Sequence, residues 1–149
     1  STLRVALHQL EPHPDDGILY PIHGIDAQGV VLSMSDVIAT VGAQPDVVLL
    51  RPPERRHWQR EAGPSDALLV VEVSDTSYRY DRDVKLPLYA RAGIPEVWIV
   101  DLTREVVEVF RDPGRKGYAV AQTVERGGTV APAALPDAVI VVAEILPPA

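Results

Sequence analysis

The chain has 149 residues, a length that fits one domain with a sizeable hydrophobic core. Hydrophobic residues make up 46% and charged residues 23%, as in globular proteins and unlike disordered or fibrous chains. The absence of cysteine excludes a disulfide scaffold, a thiolate nucleophile, a thiolate zinc site and an iron–sulfur cluster. The sequence shows neither a run of eighteen apolar residues nor a secretory leader, so we expect a soluble, cytoplasmic protein with no membrane partner.

The formal net charge of −7, from 14 basic and 21 acidic residues, argues against a surface that binds nucleic acid all over. The charge is uneven along the chain. Residues 51–91 carry eight basic and seven acidic side chains, a balance of +1, which leaves −8 for the remainder. This middle segment is therefore where a polyanion would be tolerated, as in an enzyme that binds nucleic acid through one groove. A balance of +1 is equally typical of an ordinary solvated surface.

The first third of the chain predicts one helix and several short strands. Residues 3–10 have apolar side chains at helical spacing, and Pro12 ends the pattern. Short extended segments are predicted at 18–22, 30–32 and 37–41. Residues 47–50 are apolar on both faces, which is typical of an interior strand.

The rest of the chain predicts a central strand, a helix and a C-terminal strand meander. The polar segment 51–66 predicts a loop, and residues 67–73 form the most strand-like run. Residues 81–92 predict a helix that carries an apolar stripe of Val84, Leu88 and Ala92 and stops at Gly93. Further strands are predicted at 96–101, 105–110, 118–124 and 138–145. This order predicts a mixed sheet of the α/β or α+β class, in a single domain over residues 1–149. Of the two we expect α/β, a mixed sheet flanked by helices.

Two carboxylates stand at the ends of apolar strands. Glu72 lies inside an apolar run, where an ionised carboxylate costs several kcal/mol unless it is paired or bound to metal. Asp46 stands at the start of the 47–50 strand, and the two would converge if these strands are neighbours. Such a pair, with backbone carbonyls and water, suits Mg²⁺, with Mn²⁺ as the alternative ion. The competing interpretation for Glu72 is a strand-end carboxylate held by a lysine or backbone amides.

Lys85 lies on the helix that follows the Glu72 strand. An ammonium near a metal site can stabilise the negative charge that develops on a phosphate during hydrolysis. The alternative is an exposed helical lysine that pairs with Asp81 four residues earlier, which the spacing alone favours.

Four ordered motifs resemble a known family. They are Asp46 after Pro45, the run LVVEVS that ends at Ser74, KLPLYA from Lys85, and AGIPEVWIVD that ends at Asp101. Together they resemble the Uma-two-type restriction endonucleases of the PD-(D/E)XK nuclease superfamily, most strongly between residues 45 and 110.

The resemblance implies a restriction-endonuclease-like fold and a Mg²⁺-dependent endonuclease that hydrolyses DNA. It assigns metal binding to Asp46 and Glu72 and the catalytic lysine to Lys85. In the plain superfamily pattern the lysine stands two residues after the glutamate, where this chain has Ser74, so the role moves to the helix. Family members also carry an upstream acidic residue with no counterpart here, so we expect the chain to lack an N-terminal segment.

The sequence also bears on DNA contacts, on oligomeric state and on a non-catalytic alternative. Arg51, Arg55, Arg56 and Arg60 could contact phosphates, although a solvated loop is the more favoured interpretation. We expect a homodimer, because nucleases of this superfamily often need two sites to cut two strands. The rival is a non-catalytic module of the same fold that serves self-association or protein or nucleic-acid binding.

Overall fold

A computed structural model describes residues 24–26, 31–32, 46–50 and 67–148 of the chain. The helix predicted at 3–10, the strands predicted at 18–22 and 37–41, and the polar segment 51–66 lie outside these residues. Within the described segments, no helix is both long and apolar enough to cross a membrane.

The described residues form a mixed seven-stranded sheet, in the spatial order β2-β1-β3-β4-β5-β6-β7. The strands are β1 Gly24–Asp26, β2 Val31–Leu32, β3 Val47–Leu50, β4 Ala67–Ser74, β5 Glu96–Asp101, β6 Val106–Gly114 and β7 Gly117–Glu125. β4 runs antiparallel to β3 and parallel to β5, and the strands predicted at 96–101 and 105–110 form a hairpin, β5–β6. This architecture is the predicted restriction-endonuclease-like α/β fold.

The alternation of side chains along β4 divides the core between two faces of the sheet. Leu69 and Val71 pack with Trp98 on one face. Val70 packs with Tyr89 on the other face, which the helix covers. Glu72 has the same parity as Val70, so its carboxyl group points to the helix side.

The helix between β4 and β5, here α1, begins earlier than predicted and changes type along its length. It comprises Tyr78–Tyr80, a π-helical turn at Asp81–Lys85, and Leu86–Arg91. Pro87 lies in the first turn of the last piece, where a missing N–H is tolerated. Gly93 ends the helix with a positive φ of 78°, as its position predicts.

The predicted apolar stripe of α1 is wrong in part. Val84 is 43% exposed, whereas Leu86, Tyr89 and Ala90 are the helix residues buried against the sheet. The wider π turn shifts the face that the following residues present, which a regular 3.6-residue period does not anticipate.

The strand predicted at 138–145 is also wrong in most of its length. β9 spans only Ile140–Val141 and pairs with β8, Thr129–Val130, in a separate two-stranded sheet. The chain then turns into the 3₁₀ helix Val142–Glu144. The turn lets Val142 and Leu146, four residues apart, both bury against the sheet face opposite α1.

A buried carboxylate fastens this C-terminal segment to the sheet. Glu96, 1% exposed in β5, accepts hydrogen bonds from Trp98 Nε1 at 2.9 Å and Arg111 Nε at 2.8 Å. The backbone N–H of Ala133 donates to its other oxygen at 2.8 Å. Both carboxylate oxygens of Glu96 thus accept hydrogen bonds, and Glu96 has a structural role.

We predict that Glu96→Ala lowers the free energy of unfolding by about 2–4 kcal/mol, because it leaves the Trp98 and Ala133 donors without their acceptor. Urea denaturation measures this change. The matched control is Glu125→Ala on the exposed edge strand β7, which should stay within about 0.5 kcal/mol of the wild type. Equal effects of the two substitutions would contradict the structural role of Glu96.

Candidate active site

The register of β3 and β4 brings Asp46 to Glu72. Val47 lies opposite Val71 in this antiparallel pair, so the register continued by one residue sets Asp46 opposite Glu72. Cross-strand neighbours in such a pair project their side chains to the same face. The convergence of the two carboxyl groups at one end of the sheet therefore follows from strand pairing.

Asp46 is held by the backbone of the neighbouring strand. Its Oδ2 accepts a hydrogen bond of 2.7 Å from the N–H of Val73, and its negative charge acts on the carboxyl group of Glu72. Burial raises the pKa of Asp46 above its ordinary value, although the Val73 N–H and the charge of Lys85 oppose the shift. The Val73 N–H thus orients the carboxyl group of Asp46, and burial disfavours its ionised form.

Glu72 is the buried centre of the site, with 1% of its surface exposed. The hydroxyl of Tyr89 donates a hydrogen bond to Oε1, and the ammonium of Lys85 lies 3.2 Å from Oε2. Burial and the negative charge of Asp46 raise the pKa of Glu72 to about 8. Both oxygens of Glu72 are therefore oriented by a partner. Its ionised form costs free energy unless further positive charge is present.

Lys85 reaches two carboxylates from the helix. Its Nζ lies 3.2 Å from Glu72 Oε2 and 3.3 Å from Asp81 Oδ1, and its side chain is 18% exposed. Burial lowers the pKa of Lys85, but the negative charges of Glu72 and Asp81 outweigh it and raise the pKa overall. The pairing with Asp81 that spacing favours is present, and the contact with Glu72 is present beside it.

Three further residues belong to this cluster that the sequence does not assign to the site. Tyr89 packs in the core between the helix and the sheet, and its hydroxyl also donates a hydrogen bond to Glu72. Ser74 and Asp81 are both buried, and the Ser74 hydroxyl donates to Asp81. A signal existed for Ser74, which stands two residues after Glu72 on the same face of β4, but none in the sequence marks Asp81 as buried.

A second acidic cluster is paired with an arginine. Asp101 ends β5, and its Oδ1 accepts hydrogen bonds from the N–H groups of Thr103 and Arg104, each at 3.0 Å. The Arg104 guanidinium pairs with both Asp101 and Glu108. This cluster shapes the β5–β6 turn, which gives Asp101 a structural role at the end of its strand.

In the part of the chain that the structure describes, no group of three or more His, Cys, Asp or Glu side chains is arranged to hold a metal ion. Asp46 and Glu72 supply two carboxylates. The predicted phosphate contacts Arg51, Arg55, Arg56 and Arg60 lie outside the described residues.

The fold is that of a restriction-endonuclease-like α/β protein, and one family matches the chain. The model of the Uma2 family, described as "Putative restriction endonuclease", matches residues 20–143. This match covers most of the chain, which therefore belongs to the Uma2 family, as its motifs predict. Comparison with curated proteins finds no match. Family membership supports a function of the nuclease type.

The raised pKa of Glu72 predicts a pH dependence of stability in the metal-free protein. Folding raises this pKa from 4.5 to about 8, so the folded state holds a proton that unfolding releases between these values. Stability should therefore fall as the pH rises through that window, and Asp46 contributes in the same direction. Urea denaturation across the window, with a chelator present, measures the trend.

Glu72→Gln should flatten this pH dependence, because the amide does not titrate. Glu125→Gln, an exposed change on β7, is the control and should keep the wild-type slope. Wild type and Glu72→Gln with the same slope would show that Glu72 titrates normally in the folded protein.

Proposed function

We propose that this protein is a Mg²⁺-dependent endonuclease that hydrolyses phosphodiester bonds in DNA. The observation that carries the proposal is the Lys85 ammonium 3.2 Å from the buried Glu72 carboxylate, which stands beside the half-buried Asp46. Membership of a family described as restriction endonucleases supports the nuclease class. The choice of Mg²⁺ rests on the chemistry of these residues, and the choice of DNA rests on the description of the family.

The donor atoms of the pair fit a small, hard divalent cation. Both residues offer carboxylate oxygens, and no softer sulfur or imidazole ligand accompanies them among the described residues. Mg²⁺ is usually held by one or two carboxylates, with waters and substrate phosphates completing its shell, so a cage of three protein side chains is not required. Burial raises the pKa of both carboxyl groups, so their ionised forms would be stabilised by the added positive charge of a cation.

Asp46 and Glu72 would hold the cation, which when bound neutralises phosphate charge and lowers the pKa of water. Tyr89 and the Val73 N–H orient one oxygen of each carboxylate before any ligand arrives. Lys85 would stabilise the negative charge that grows on the scissile phosphate, as a fixed cation in a partly buried position. Little of the geometry then has to be reorganised during the reaction.

Binding of DNA would need positive charge outside this cluster. The proposed contacts of Arg51, Arg55, Arg56 and Arg60 with phosphates remain a prediction from the sequence, as does the homodimer that would bring two sites to the two strands. The net charge of −7 means that such contacts must be local, and binding should weaken steeply with salt.

Plasmid nicking by the full-length protein tests the proposal. We expect Mg²⁺ or Mn²⁺ to support cleavage and a chelator to stop it. Asp46→Asn and Glu72→Gln should abolish cleavage, because each removes a carboxylate ligand. Lys85→Ala should slow it by ~10²–10³, the scale of losing one donor to the transition state.

The chain provides its own control for the lysine, since Lys85 and Lys116 are its two lysines. Lys116 is exposed in the turn between β6 and β7, and Lys116→Ala should cleave at the wild-type rate. Absence of metal-dependent cleavage by the wild type would reject the endonuclease and favour the non-catalytic binding module. Cleavage by Lys85→Ala at the wild-type rate would reject the role of Lys85 alone.

A further inference from the structure

Asp81 is a buried carboxylate that the proposed chemistry does not use. It lies at the start of the π-helical turn of α1 with 2% of its surface exposed. A carboxylate in such a position costs free energy unless hydrogen bonds and a cation compensate for its lost hydration. Its partners therefore indicate what the position does.

The two oxygens of Asp81 have different partners. Oδ2 accepts hydrogen bonds from the hydroxyls of Ser74 and Ser77, the latter at 2.9 Å. Oδ1 lies 3.3 Å from the Lys85 ammonium. Two hydroxyls thus fix the carboxylate from one side, and its other oxygen faces the lysine.

The Lys85 ammonium is held between two carboxylates, Asp81 and Glu72. A lysine side chain is long and flexible, and an ordinary surface ion pair does not fix its position. In the same conformation the exposed ring of Tyr80 lies 5.9 Å from Nζ, so the ammonium also has a weaker aromatic partner. The pairing with Asp81 opposes movement of the ammonium towards solvent.

Ser74 links the strand to the helix in this arrangement. It is fully buried in β4, two residues after Glu72, and its hydroxyl reaches Asp81 on α1. Ser74 in the strand therefore holds Asp81, the carboxylate that pairs with Lys85. Lys85 belongs to the helix, but the direction of its side chain depends on this contact with the strand.

We propose that Asp81, braced by Ser74 and Ser77, is the positioning residue that keeps the Lys85 ammonium beside Glu72. Its catalytic consequence rests on the proposed function, whereas the positioning itself can be measured without activity. If Glu72 binds a cation, the attraction between Glu72 and Lys85 weakens, and Asp81 remains as the partner that holds the ammonium in the site. Asp81 acts through Lys85 and does not itself touch the substrate.

Amine acetylation followed by mass spectrometry tests the positioning on the metal-free protein. Each of the two lysines gives its own labelled peptide, and exposed Lys116 is the internal reference. Asp81→Asn keeps the shape and removes the charge, so the Lys85 ammonium is released towards solvent and its labelling relative to Lys116 should rise by about fivefold. The control is Asp83→Asn, an exposed aspartate two residues away in the same turn, which should leave the ratio unchanged.

Ser77→Ala provides a second variant if Asp81→Asn fails to fold, because it removes one brace from a residue at the surface. It should raise the labelling of Lys85 by a smaller factor, about twofold, the loss of one hydrogen bond of two. A ratio that stays at the wild-type value in the folded variants would overturn the inference.

The plasmid-nicking rate separates positioning from a general structural role. Asp81→Asn should lower kcat by about tenfold and leave the KM for DNA unchanged, since it misplaces one donor of the transition state. In a Lys85→Ala background the same substitution should have no further effect, because residues that act as a unit are not additive. An additional loss in that background would overturn the inference.

The two proposals fail in different ways. A wild type that does not cleave, with Lys85 released by Asp81→Asn, would reject the nuclease and support the positioning. A wild type that cleaves, with Lys85 labelling unchanged by Asp81→Asn, would reject the positioning and support the nuclease.

Discussion

The contact between the Lys85 ammonium and the buried Glu72 carboxylate, 3.2 Å apart, is the interaction on which the cluster depends. Glu72 lies in the middle of a sheet with 1% of its surface exposed, where an isolated charge would not be tolerated. Asp46 adds a second carboxyl group and raises the pKa of Glu72 further. A pair of this kind is stabilised by added positive charge, from the ammonium or from a divalent cation. The burial that makes the pair costly is therefore also an argument for the proposed metal ion.

The fold places these groups through ordinary backbone rules. Antiparallel pairing of β3 and β4 sets Asp46 opposite Glu72, and strand alternation turns Glu72 towards α1. The π-helical turn at Asp81–Lys85 then presents a carboxylate and an ammonium to the same end of the sheet. Turns of this kind are frequent at functional sites, where they redirect side chains that a regular helix would present elsewhere. Secondary structure thus determines most of the positions of these side chains, and side-chain hydrogen bonds determine the rest.

Local sequence patterns predict the two strands that carry Asp46 and Glu72. The apolar runs around Glu72 and after Asp46 predict interior strands, and the structure describes both as neighbours. The contacts of Tyr89 with Glu72 and of Ser74 with Asp81 depend on how a helix packs on a sheet, which no local period encodes. The C-terminal segment deviates for a similar reason. Its apolar residues suit a strand by propensity, but burial of Val142 and Leu146 against the sheet favours a helical turn.

The central claim is that Asp46 and Glu72 bind one divalent cation together. Anomalous scattering from crystals of the full-length protein grown with Mn²⁺ tests it most directly. The account predicts one ion within about 2.0–2.6 Å of a carboxylate oxygen of each residue. It also predicts that the Lys85 ammonium remains beside Asp81 when the ion is bound. An ion bound away from both carboxylates, or none at saturating Mn²⁺ with the Lys85–Glu72 contact intact, would contradict the account.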